Sequence, residues 1–100
     1  MKYEVIVLPA AVLDRDEIIQ NLKKLSTQVA RKYAQMFAQE LRSLAEFPNR
    51  CPPAHDPDLA AKGYRFLVVR YYLVFYTVEG NTVTIRRIVD GRRRLPKDLS

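Results

Sequence analysis

The chain has 100 residues, 48% of them apolar and 28% charged, with a net charge of +6. That is the balance of a folded globular chain with one modest core, which excludes a disordered segment or a two-domain protein. The single cysteine, Cys51, excludes an internal disulfide, and no apolar run approaches the roughly 20 residues needed to cross a bilayer.

In chain order, Tyr3 to Leu8 has the β-branched content of a strand, ended by Pro9. This run is too short for the apolar core of a signal peptide, so the chain is expected to be cytoplasmic, one domain over residues 1–100. A helix is predicted from Pro9 or Ala10, since proline suits a first turn. Ala11, Ile18, Leu22 and Leu25 form its apolar stripe, with Asp14, Asp16, Lys23 and Lys24 off it. Acids early and lysines late complement the helix dipole.

Ser26 or Thr27 can cap a second helix, whose face is Val29, Tyr33, Phe37, Leu41 and Leu44, stopped by Pro48 near Phe47. Helices joined by one or two residues fold back as a hairpin. Asn49 to Gly63 reads as a long surface loop with a helical turn at Asp58 to Ala61. Three strand-like runs follow, Tyr64 to Val69, Tyr72 to Val78 and Thr82 to Val89, with Glu79-Gly80-Asn81 as a hairpin turn between the last two. The fold class is α+β, order βααβββ, with the helical hairpin against one face of a mainly antiparallel four-stranded sheet.

The charge is concentrated near the end of the chain. Arg86 to Lys97 holds six cations against Asp90 alone, +5 of the total +6. Such a patch points to an anionic partner, polyphosphate or an acidic protein segment; its plain alternative is a solvated strand end. Strand period two puts Arg87 with Val83 and Ile85. An arginine there either snorkels, pairs with an acid, or marks a bulge, and adjacent Ile88 and Val89 hint at a change of facing. His55 reads as an exposed loop residue, and Cys51 has no ligand partner at metal spacing. Tyr71, Tyr72 and Tyr76 could stack on bases, although strand tyrosines mostly pack. P-loop, GxGxxG and paired-carboxylate patterns are absent from the sequence.

The element order, Glu46-Phe47-Pro48, Gly63-Tyr64-Arg65 with its aliphatic run, Tyr72-Leu73-Val74-Phe75-Tyr76, and Ile88-Val89-Asp90-Gly91-Arg92-Arg93 together resemble the RelE/ParE superfamily of bacterial toxins. The resemblance spans nearly the whole chain. It implies the toxin half of a type II toxin–antitoxin pair, with growth inhibition, plasmid stabilisation and neutralisation by a cognate antitoxin that covers apolar grooves and pairs acids with the last strand. RelE-like members cleave mRNA on the ribosome without metal; ParE-like members poison DNA gyrase. No cofactor or metal is implied, and an oligomer assembled through the antitoxin complex is compatible with it.

For a ribonuclease, the resemblance places catalysis on Arg65 and Arg93, where cleaving relatives carry basic residues on neighbouring strands. Arg70, Arg87, Arg92, Arg94 and Asp90 are the corresponding nucleic-acid or partner contacts. The residues lean against cleavage. Leu73 stands where RelE carries an arginine, Asp90 where many relatives carry histidine, and Arg94 where many carry aspartate. The RelE-type terminal tyrosine has no counterpart. Arginine holds phosphate well but is a poor general acid or base. A gyrase-directed action is therefore slightly favoured over mRNA cleavage, with a non-toxic antitoxin-binding protein as the third reading.

Overall fold

In the computed structural model, which describes residues 2–93, strand β1 (Glu4–Val7) leads through Leu8 into helix α1 (Pro9–Leu25). Proline opens that helix, where its missing N–H costs nothing. Ser26 alone joins α1 to α2 (Thr27–Ser43), and its hydroxyl oxygen accepts the Val29 N–H at 3.2 Å. The two helices therefore form the expected hairpin.

Both helical stripes differ from expectation at the hairpin tip. Leu25 is 85% exposed and Val29 is 40% exposed; the buried positions of α2 are Ala30, Phe37 and Leu41. The second helix also ends earlier than Pro48 would dictate. After Ser43 the chain tightens into i→i−3 bonds, Leu44 N–H to Leu41 and Ala45 N–H to Arg42. Phe47 then turns left-handed at φ 50°, and Pro48–Arg50 makes one 3₁₀ turn.

A short helix α3 (Pro57–Ala61), capped by the Asp56 carboxylate, precedes strands β2 (Arg65–Val69), β3 (Tyr72–Glu79) and β4 (Thr82–Asp90). The sheet order is β1-β4-β3-β2. β1 runs parallel to β4, and the other pairings are antiparallel. Gly80, at φ 60°, supplies the expected turn between β3 and β4. The turn between β2 and β3 puts Arg70 at φ 57°, a conformation glycine adopts without cost.

The sheet is covered on both faces. Phe37, Leu41 and Leu44 from the hairpin side pack with Val74, Tyr76, Val83 and Ile85. On the opposite face Ala54, Leu59 and Tyr64 pack with Phe75 and Val89. The predicted surface loop is thus a second lid, and its apolar residues build a smaller core of their own. No helix among the described residues is long and apolar enough to cross a membrane.

Candidate functional site: the end of the last strand

β4 changes facing partway along. Tyr76 pairs with Ile85 and Phe75 with Arg87, so Arg86 is an extra residue in the ladder. Val83 and Ile85 face the hairpin; beyond the bulge Ile88 faces it and Val89 faces away. A bulge of this kind re-aims side chains without ending the strand.

The two arginines at the bulge diverge. Arg86 donates to the Thr77 hydroxyl at 3.1 Å, lies 3.8 Å from Glu79 and sits 5.9 Å over the Tyr64 ring. Arg87 reaches α1 and grips Asp14 with two bonds, 2.7 Å and 3.1 Å. Both side chains of that pair are mostly buried, 19% and 16% exposed. Of the alternatives the sequence left open for Arg87, pairing with an acid and marking a bulge both hold. Asp14 was placed off the α1 stripe, yet it stands three residues after Ala11 and four before Ile18. That spacing puts it on the inward face, the one signal that could have found it.

Past β4 the chain is fastened to the β2–β3 turn. The Gly91 N–H donates to the Tyr71 carbonyl at 2.7 Å, and a Cβ at Gly91 would lie 3.1 Å from that oxygen. Glycine suits this close approach, since any side chain would press on the Tyr71 carbonyl and the Leu73 side chain. Arg92 lies 4.5 Å over the Tyr71 ring. It also grips Asp90 with two side-chain bonds, 2.9 Å and 2.8 Å, and with its main-chain N–H at 2.9 Å. Arg93 is 83% exposed, with its Nε 3.8 Å from Asp90. Two guanidinium groups thus share one carboxylate.

These contacts set the protonation states. The Arg92 hydrogen bonds hold the Asp90 carboxyl down to about 2, and Asp90 in turn raises Arg92 further. Burial, and then the Asp90 charge, push the Tyr72 hydroxyl above its usual value. Asp90 therefore anchors an arginine and has little capacity to move protons near neutrality.

The site residues expected from the sequence do not all converge. Arg65 sits at the start of β2 and donates to the carbonyls of Cys51 and Asn49. β3 separates β2 from β4, so Arg65 and Arg93 are not on neighbouring strands. Arg65 pairs with Tyr76, whereas Asp90 pairs with Tyr72. Four residues of strand, roughly 13 Å, lie between those rows. Arg70 is exposed in its turn, and Arg94 lies outside the described residues. His55 is exposed and stands edge-on to Phe66, 5.0 Å between centroids. Tyr72 packs against Tyr33 and Phe37, and Tyr76 is fully buried with its hydroxyl on the Pro48 carbonyl. Tyr71 is the tyrosine at this site that stays exposed, and it carries Arg92. No cluster of three or more His, Cys, Asp or Glu side chains that could hold a metal occurs among the described residues.

A groove of about 430 Å³ runs beside this end of the sheet. Ile18, Leu22 and Leu25 of α1 line one side; Asp90, Arg92 and Arg93 line the other. Asp14, Glu17 and Asn21 share the α1 side with those apolar residues, so the groove is mixed, and its exposed positive charge comes from Arg92 and Arg93.

A helical hairpin on a β1-β4-β3-β2 sheet, ending in an arginine-bearing arm, defines the class as a small α+β protein. A solved structure described as a chromosomal ParDE toxin–antitoxin system from P. aeruginosa shares the fold, with a TM-score of 0.74 at 22% identity over 87% of this chain and 94% of that one. The family model for the ParE toxin of the type II toxin–antitoxin system parDE matches residues 5–95, and the chain belongs to that family. A comparison with curated protein sequences finds no match.

Proposed function

We propose that this chain arrests growth in the cytoplasm by binding a target, in the ParE manner on DNA gyrase, and that a cognate antitoxin neutralises it. The observation that carries the reading is the chemistry of the β4 arm. Arg92 and Arg93 offer charge, Asp90 is locked as an anchor by Arg92, and the Tyr72 hydroxyl is shifted away from neutrality. Metal-free RNA scission needs one group to take the 2′-hydroxyl proton and another to protonate the leaving oxygen. Arg65 is occupied with main-chain carbonyls and His55 lies against Phe66, so neither joins the arm. The groove beside α1 fits the antitoxin's expected chemistry, apolar anchors with acids for Arg92 and Arg93.

The test is expression of the free chain with mRNA integrity and gyrase-linked DNA breaks read in the same cells. The expected result is trapped cleavage complexes, reproduced with purified gyrase, and intact transcripts. Transcripts cut in translating extracts, without trapped complexes, would replace this reading with ribosome-dependent cleavage.

A further inference from the structure

β1 is shorter than the strand it lies beside. Val7 is opposite Ile85, and the Leu8 N–H makes the last main-chain bond from that side, to the Ile85 carbonyl at 3.0 Å. β4 continues for five more residues, to Asp90. In place of a strand, α1 supplies a carboxylate. Asp14 Oδ2 accepts the Ile88 N–H at 2.9 Å and also the Arg87 Nε–H at 2.7 Å, while Oδ1 accepts from Arg87 Nη2 at 3.1 Å. One side chain thus satisfies a main-chain donor and neutralises the neighbouring guanidinium. Without it, the Ile88 N–H would lose its acceptor and carry a desolvation cost.

These bonds fall at the point where β4 changes facing. With an uninterrupted period of two, residues 83, 85, 87 and 89 would share the hairpin face and Asp90 would point away from α1. With Arg86 inserted, Ile88 faces the hairpin and Asp90 lines the groove opposite Ile18 and Leu22. Arg92 and Arg93 follow Asp90 because it is the carboxylate that holds them.

We propose that Asp14 is the positioning residue of the arm. By fixing the reversal at Arg87 and Ile88, it turns Asp90, with Arg92 and Arg93 upon it, into the groove beside α1. Asp14 touches neither Arg92 nor Arg93 through any bond in the structure and acts through the strand. Its effect on growth arrest rests on the reading of the arm as the binding surface; its effect on arm geometry does not.

The experiment compares the full-length parent with Asp14→Ala and Asp14→Asn by nuclear magnetic resonance and by growth arrest on expression. Alanine removes both acceptor oxygens. Asparagine keeps an amide oxygen for the Ile88 N–H while withdrawing the charge from Arg87, and it is the variant to use if alanine prevents folding. The expected result is displaced Ile88, Gly91 and Arg92 amide signals and faster exchange of the Arg92 Nε–H, larger for alanine. Growth arrest should weaken by about fivefold or more, the low end of coupling between linked sites. Unchanged Gly91 and Arg92 signals in a folded Asp14 variant would overturn the proposal. Displaced signals with undiminished growth arrest would uphold the positioning role and instead remove the arm from the binding surface.

Discussion

Where β2 begins, Arg50 and Arg65 donate to main-chain carbonyls; where β4 ends, Arg92 and Arg93 lean on one carboxylate. Arg50 gathers the carbonyls of Ser43, Glu46 and Phe47 and the Ser43 hydroxyl, closing the irregular end of α2. Arg65 ties the Asn49 and Cys51 carbonyls to the sheet. These guanidinium groups are committed to holding loops in place. At the other end, Arg92 is 59% exposed and Arg93 is 83% exposed, and their shared partner is itself a side chain. An incoming acid or phosphate can compete with Asp90 for them, whereas it could displace Arg65 only by unseating the chain. The comparison separates two uses of the same residue type that composition pools into one net charge.

Three substitutions would break or sharpen that contrast. The largest effect is expected for Arg65→Ala, which strips the Cys51 carbonyl of a charged donor. A loss of about 2 kcal/mol follows from typical values for such bonds, read as a lower urea midpoint at unchanged slope. Parental stability in this variant would mean that the 49–51 loop holds itself. Asp90→Asn is expected to act mainly in acid. Asp90 has a depressed native value of about 2 against an unfolded value near 3.9, so its contribution is complete above about pH 4 and is lost as pH falls toward 2. The asparagine variant should be less stable than the parent at pH 7 and should lose less between pH 4 and 2; matching acid transitions would contradict the assigned anchor. Arg93→Ala should leave the urea midpoint unaltered and diminish growth arrest. A destabilised Arg93→Ala protein would place that arginine with Arg65 rather than with the arm.

The architecture was largely readable because it depends on local pattern. β-branched runs, Pro9, the single-residue joint at Ser26 and the turn at Gly80 each act over a few residues. What escaped depends on distant partners. The Asp14–Arg87 pair spans 73 residues, and an apolar stripe through Ala11 and Ile18 leaves Asp14 off it although its spacing puts it inward. The roles of Arg65 and Tyr76 depend on the carbonyls of a loop whose path no periodicity describes. The end of α2 falls short of Pro48 because proline marks only the last residue a helix can reach, and the chain tightens after Ser43 before reaching it. The second core beneath α3 was hidden for the same reason, since Ala54, Leu59 and Tyr64 show no repeat.

β4 is the last strand among the described residues but not an edge of the sheet: it lies between β1 and β3. β1 therefore has no neighbour to pair with until the final strand is made, and the closing contact is between segments near opposite ends of the sequence. Such non-local pairing is slow to form compared with a hairpin. During synthesis the helices and the β2–β3 hairpin can assemble early, while the finished sheet waits for β4 to clear the ribosome. A prematurely terminated chain lacking β4 would lose both the sheet's central partner and the arm that follows it. An incomplete product therefore has neither the closed sheet nor the arginines beyond β4.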